Sequence, residues 1–170
     1  DLYFAKKGIE PRKTKIGSPF VIASMIEAAK TGAKSVVGWE ANGGFLTGSD
    51  IEKNGAVLRA LPTRDSVLPL LATLHASVDE KCSLVELFDR LPARFSRAGL
   101  IDEFPREASL EIIAQFSPAD ESLVEATSAD EGMTGKFAAI ESFFTPELGF
   151  GKVTKVNLID GLRITFDNGE

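Results

Sequence analysis

The sequence has one cysteine, one histidine, one tryptophan and one tyrosine. A lone Cys82 excludes an internal disulfide and fits a reducing, cytoplasmic setting. A lone His75 rules out histidine-rich metal sites and leaves one base for any hydrolytic triad. No apolar run approaches the ~18 residues of a membrane span. Basic residues are also the minority, 19 against 25 acidic, and the net charge of −6 argues against a nucleic-acid or membrane-surface role. No repeat or low-complexity stretch occurs, and the start lacks both a signal peptide and a methionine. With Asn168-Gly169-Glu170 reading as mid-hairpin, the chain is expected to be a piece of a longer protein.

The apolar content, 44%, is ordinary for a folded chain. The most informative stretch is Gly38-Trp39-Glu40-Ala41-Asn42-Gly43-Gly44-Phe45, directly after Val36-Val37. An ionised Glu40 only accepts hydrogen bonds, whereas the Asn42 amide both donates and accepts. Together they suit vicinal hydroxyls such as those of a sugar, and Gly43 and Gly44 allow a ligand close to the backbone. The same residues also spell a hairpin turn with a solvated glutamate, since Asn-Gly is a strong hairpin signal.

Residues 1–8 read as the end of a helix stopped by Gly8. Lys13-Thr14-Lys15-Ile16 predicts a short strand. Ser18 as N-cap and Pro19 in the first turn then open a helix with Ile22, Met25, Ile26 and Ala29 on one face. A strand from Ser35 to Trp39 completes a βαβ unit and delivers the Glu40 loop at its C-terminal end, where α/β sheets usually bind ligands. Trp39 reads as packing at that strand end. Residues 45–55 make a loop or hairpin around Asn54-Gly55.

Thr63-Arg64-Asp65 opens a second helix with a buried stripe of Val67, Leu70, Leu71 and Leu74. A third, from Ser83, carries a capping box with Glu86 and turns Leu84, Leu87, Phe88 and Leu91 inward. Pro92 ends it. The pattern predicts domains at 1–92 and 106–170 with a linker over 93–105, of which Arg94 to Leu100 could form a strand. The second unit is expected to hold a helix around Leu110, Ile113 and Ala114, a polar stretch from Asp120 to Thr134 and a helix at Phe137–Phe143. A β-hairpin about Asp160-Gly161 follows. The expected fold class is α/β: a three-layer α/β domain with the loop at a strand end, followed by part of a smaller α+β domain.

Several chemistries fail on the residues. His75 sits beside a core stripe and reads as structural. Gly43 to Gly48 has Walker A glycine spacing, but Ser49-Asp50 stands where Lys-Ser/Thr is required. No metal-ligand spacing occurs, and Asp79-Glu80 and Asp102-Glu103 read as solvated surface.

Lys13-Thr14-Lys15-Ile16-Gly17, Glu40-Ala41-Asn42-Gly43-Gly44, Arg64-Asp65 and Asp160-Gly161-Leu162-Arg163, in that order, resemble the α-D-phosphohexomutases, and within them the bacterial phosphomannomutase/phosphoglucomutase group. The resemblance covers nearly the whole chain, from within the third domain into the fourth. It implies an enzyme that interconverts hexose 1-phosphate and 6-phosphate by phosphoryl transfer through a phosphoserine and a hexose 1,6-bisphosphate, with Mg²⁺. It implies that Glu40 and Asn42 hold adjacent sugar hydroxyls, Asn42 standing for the serine of the family's Gly-Glu-x-Ser-Gly-His loop. Gly43, Gly44, Lys15 and Ser18 join the substrate-binding set, and Arg64 and Trp39 support it. Gly44 replaces the family's histidine, and Ser18 another histidine found in some members.

The phosphoserine loop, the aspartate-rich metal loop and the Arg-x-Ser-Gly phosphate clamp are not in the sequence, so no catalytic or metal residue is expected here, and the chain alone should be inactive. Its expected partners are hexose phosphate and the enzyme's remaining domains, not nucleic acid or membrane. Lys13 and Lys15 also read as plain alternation out of a strand into solvent. The alternative is a non-catalytic carbohydrate-binding or interaction domain.

Overall fold

A computed structural model describes residues 2–94, 97 and 99–169. The chain divides into two compact units, Asp1–Arg97 and Ala98–Glu170. The expected linker includes Phe95, Ser96 and Ala98, and the start and hairpin end include Asp1 and Glu170. All five lie outside the described residues.

The first unit opens with α1 (Leu2–Lys6), closed as the sequence predicts by Gly8 at φ 69°, whose N–H bonds back to the Ala5 carbonyl. No strand forms over Lys13–Ile16. Lys13, Lys15 and Ile16 are exposed and Thr14 is half-buried, so the segment has no buried face of the kind that fixes a strand in a sheet. Helix α2 (Ser18–Lys30) follows, then β1 (Val37–Trp39) and β2 (Phe45–Thr47), which pair antiparallel with Trp39 opposite Phe45. The expected βαβ unit is therefore replaced by a helix laid on a hairpin.

The α2 face that packs is rotated from the expected one. Met25 is buried, with Val21, Ile22 and Ala28 around it, whereas Ile26 and Ala29 face outward. Gly38 explains this. A Cβ on Gly38 would lie 2.5 Å from Val21 Cγ1 and 2.6 Å from Met25 Sδ, so the helix seats directly on a strand position without a side chain. Leu46 and Val36 complete this small core.

A second hairpin, β3 (Ile51–Lys53) and β4 (Ala56–Leu58), turns on Asn54 and Gly55, both at positive φ. That is the geometry the Asn-Gly pair calls for. The segment after it is fastened to the first hairpin by polar groups. The buried Thr47 exchanges bonds with Leu61, its Oγ1 accepting the Leu61 N–H at 2.7 Å. Asp50 accepts from the Ala60 N–H at 2.8 Å and from Arg59 Nη1 at 2.6 Å. The Ala60 bond first, and Arg59 second, hold the Asp50 carboxyl below its ordinary 3.8.

Helices α3 (Val67–Asp79) and α4 (Leu84–Asp89) form where expected, and the Ser83–Glu86 capping box is complete. Their apolar stripes are not buried. Leu70 is 66% exposed, and Val67, Leu71, Leu74, Phe88 and Leu91 are also open. Amphipathic spacing says which face a helix can bury; burial also requires an element to cover it, and no described element of this unit does. Trp39 is likewise 47% exposed, its ring 5.4 Å from Phe4, instead of packed in a core.

The second unit holds α5 (Arg106–Phe116), β5 (Glu125–Thr127), α6 (Met133–Phe143), a 3₁₀ turn at Pro146–Leu148, β6 (Val153–Asn157) and β7 (Arg163–Phe166). Its strands form one antiparallel sheet in the order β5-β6-β7. Met133, Phe137 and Ile140, spaced i, i+4, i+7, lay α6 on Val153, Val156 and Phe166. Val153 and Val156 share the core although three residues apart, because an irregularity between Val153 and Lys155 shifts the register. Helix α5 forms where expected and contributes Phe116 to the core, while Leu110 is half exposed. No helix of the described residues is long and apolar enough to cross a membrane.

Candidate functional site

The five residues 40–44 join β1 to β2. The Glu40 N–H bonds to the Gly44 carbonyl at 2.9 Å, and the Gly43 N–H bonds to the Glu40 carbonyl at 3.0 Å. Gly43 sits at φ 88°, where a side chain would be strained. Asn42 Oδ1 accepts the Gly44 N–H at 3.1 Å, closing the turn from within. The hairpin reading of these residues is therefore correct as geometry. It leaves open what the exposed Asn42 amide donors do.

The tertiary structure then adds two side chains from distant parts of the first unit. Ser18, at the start of α2, does not cap its helix; Gly17 holds the cap position and no side-chain cap bond forms. The Ser18 hydroxyl instead donates to Glu40 Oε2 at 3.1 Å and accepts from Arg64 Nε at 3.0 Å. Arg64 Nε lies 2.6 Å from Glu40 Oε2, and its Nη2 donates to Oε1 at 3.1 Å. The Glu40 side chain is 6% exposed inside this triad, while Arg64 is 53% exposed. A near-buried carboxylate is stable only when paired and hydrogen-bonded, and here both conditions hold.

Arg64 reaches Glu40 because of its neighbours. The Asp65 N–H bonds to the Phe45 carbonyl at 2.8 Å, extending the hairpin by an isolated bridge. Asp65 Oδ1 also accepts the N–H groups of Val67 and Leu68, at 2.8 and 3.1 Å, and so starts α3. This fixes the backbone at 64–65 beside Gly44. A Cβ on Gly44 would stand 3.1 Å from Glu40 Oε2 and 3.2 Å from Arg64 Cγ, so the arginine stem takes the room that a side chain at 44 would need.

Of the expected site residues, Glu40, Asn42, Gly43, Gly44, Ser18 and Arg64 come together. Lys15 lies exposed, its ammonium 6.0 Å from the Phe20 ring centroid, and makes no hydrogen bond to the loop. Trp39 adjoins Glu40 in sequence but turns to Phe4. Sequence reasoning did not anticipate the Asp65 bridge, the Thr47 and Asp50 fastenings, or that Arg64 would be the open member of its pair. The Asp-Ser before an apolar run signals a helix start, but nothing local signals the partner strand.

His75, on α3, has Nδ1 3.2 Å from Asp79 Oδ2, which also accepts from Lys53 Nζ at 2.8 Å. The Lys53 bond chiefly, with the charge of His75 further down the order, holds Asp79 below its ordinary 3.8. Cys82 is half-buried. Among the described residues no group of three or more His, Cys, Asp or Glu side chains is placed to hold a metal ion.

Residues 1–95 match the family described as phosphoglucomutase/phosphomannomutase, alpha/beta/alpha domain III. Over 167 residues the chain is 38% identical to a phosphomannomutase of Sinorhizobium fredii, covering 97% of this chain and 31% of that protein. Over 158 residues it is 35% identical to a phosphomannomutase of Salmonella muenchen, covering 92% of this chain and 28% of that protein. The chain thus spans less than a third of the length of these relatives.

Proposed function

The chain belongs to the phosphoglucomutase/phosphomannomutase family, and from that premise we propose that it forms the sugar-recognition part of a cytoplasmic phosphohexomutase. The proposed reaction of the intact enzyme interconverts hexose 1-phosphate and 6-phosphate through a phosphoserine and a hexose 1,6-bisphosphate. In this reading residues 1–92 are the third domain, 106–170 belong to the fourth and 93–105 link them. The three-layer α/β arrangement is proposed for the intact enzyme, because within the described residues the sheets have only two or three strands. Mg²⁺ belongs to the same reading, but the described residues offer no cluster that fits it, so they would not be the ones to hold it.

The observation that supports the reading is the pairing of Glu40 and Asn42 on one rigid turn. Each oxygen of the Glu40 carboxylate accepts one hydrogen bond, Oε2 from Ser18 and Oε1 from Arg64 Nη2, while Arg64 Nε lies close against Oε2, so Oε1 keeps the more open lone pair. Asn42 has its oxygen engaged by Gly44 and its two amide N–H donors available. An acceptor on Glu40 Oε1 beside the pair of donors on Asn42 suits adjacent hydroxyls, each of which can both donate and accept a hydrogen bond.

Such a grip has a specific use in a phosphohexomutase. The 1-phosphate and the 6-phosphate must bind in opposite orientations, and hydroxyls common to both poses are the part of the ligand that stays put. A turn whose side chains are fixed before binding loses little conformational freedom in doing so.

The test is a coupled isomerase assay on the intact enzyme with glucose 1-phosphate and mannose 1-phosphate, comparing Glu40→Gln with wild type. A hydrogen bond to a charged group is worth about 1.5–3 kcal/mol, so kcat/KM should fall roughly ten- to a hundredfold. Asn42→Ala should cost less. Wild-type kinetics in Glu40→Gln would refute the grip.

A further inference from the structure

We propose that Arg64 is itself a specificity-determining contact of the loop, its Nη1 donor pair meeting an oxygen acceptor of the bound hexose phosphate while Glu40 and Ser18 hold the guanidinium in place. The proposal deepens the sugar-recognition reading and rests on it.

The exposure of the pair carries the argument. The Glu40 side chain is 6% exposed and Arg64 53%, so the charged group that the triad turns to solvent is the guanidinium. Among the described residues, the contacts to the Arg64 guanidinium run through Nε and Nη2. Nη1 makes none among the described residues. A guanidinium is planar and rigid, with five N–H donors in a fixed fork. Clamping one edge therefore fixes the direction of the other.

The remaining freedom of the arginine is in its stem, and that is restrained too. Its Cγ and Cδ lie 3.2 and 3.3 Å from where a Gly44 Cβ would be, so they rest against the turn. Its backbone is tied down by the bond from the Asp65 N–H to the Phe45 carbonyl. A long side chain normally loses rotamer entropy when it grips a ligand; here that ordering precedes binding.

The chemistry that fits is an oxygen lone pair. Asn42 Nδ2 on the turn and Arg64 Nη1 beside it are both donors, whereas each Glu40 oxygen already accepts a hydrogen bond. A donor-rich surface prefers phosphate oxygens or hydroxyl oxygens over groups that must give a proton. The paired Glu40 keeps the site close to neutral, which suits a neutral hydroxyl as well as an anion.

The experiment is steady-state kinetics of the intact enzyme with Arg64→Lys, Glu40→Gln and the double variant. Lysine keeps the charge and the stem but replaces the fork by a point donor. Arg64→Lys should raise KM for the hexose phosphate about tenfold, with kcat changed less than threefold and Tm within about 3 °C. It should raise KM again, by a smaller factor, on the Glu40→Gln background, where Ser18 still accepts from Nε and the Nη1 contact remains but is held less firmly. Competitive inhibition by inorganic phosphate separates the two sources of acceptor. A parallel rise in its inhibition constant places the contact at phosphate, and an unchanged constant places it at a ring hydroxyl; either supports the proposal. An unchanged KM in Arg64→Lys, or no further change in the double variant, overturns it. Absence of hexose-phosphate turnover in the wild type would instead overturn the functional reading on which it rests.

Discussion

Replacing Gly38 by alanine should weaken the first unit and disturb the site through one contact. The new Cβ would meet Val21 Cγ1 at 2.5 Å and Met25 Sδ at 2.6 Å. Unstrained carbon contacts lie near ~3.5–4.0 Å, so both neighbours must retreat by about 1 Å. Val21 is β-branched and stiff at χ1. Met25 is adaptable, but it is buried, and its Cε already lies 2.8 Å from where a Gly48 Cβ would be. The helix as a whole must therefore lift from β1. Overpacking of this kind costs about 1–3 kcal/mol. Alanine recovers about 0.4–1 kcal/mol by restricting the unfolded chain, because Gly38 is not among the glycines at positive φ. A net loss of about 1–2 kcal/mol is expected.

Trp39, the only tryptophan, lies next to the substituted position and reports on this unit alone. With a urea slope of about 1–3 kcal/mol/M, the fluorescence midpoint should fall by roughly 0.5–1 M. Val21→Ala removes the nearer clash, so Gly38→Ala should cost at least ~0.5 kcal/mol less on that background. Ser18 stands three residues before Val21 and Glu40 two after Gly38, so lifting α2 should also stretch the 3.1 Å Ser18–Glu40 bond. An unchanged midpoint, or an equal cost with and without Val21, would refute the packing argument.

Further outcomes are expected. Asp50 and Asp79 are held below their ordinary 3.8 when folded, so between the folded and unfolded values the unfolded chain binds more protons. Their contribution is present above about pH 4–5 and is lost as pH falls through the folded values. The Tm advantage of wild type over Asp50→Asn should therefore shrink from pH 6 toward pH 2, and an advantage constant across that range would contradict the assignment. Ser83→Ala breaks a complete capping box and should cost about 0.5–2 kcal/mol in urea unfolding. The 170-residue chain alone should show no mutase turnover with glucose 1-phosphate, Mg²⁺ and a bisphosphate activator, beside an active full-length control; turnover above contamination would show that its residues suffice for phosphoryl transfer.

Local rules account for much of this protein. Gly8, Asn54-Gly55 and Asp160-Gly161 stand at turns because positive φ is nearly free for glycine and tolerable for asparagine, and the Ser83–Glu86 pair starts α4 because both of its partners lie within one turn. The Glu40-Ala41-Asn42-Gly43-Gly44 turn was legible for the same reason: its spacing sets both the backbone geometry and the supply of donors and acceptors.

What spacing could not determine was anything that depends on a second element. Alternation over Lys13–Ile16 describes a strand only if another strand pairs with it, and the stripe on α3 describes a buried face only if something covers it. The face α2 buries was decided by the missing side chain at Gly38, on another element. The exchange of roles between Glu40 and Arg64 is of the same kind. Both residue types are visible in sequence, but which of the two is buried depended on Ser18, Gly44 and the Asp65–Phe45 bridge meeting in space. Burial of a charge is decided by all of its neighbours at once, and sequence spacing lists only those on its own element.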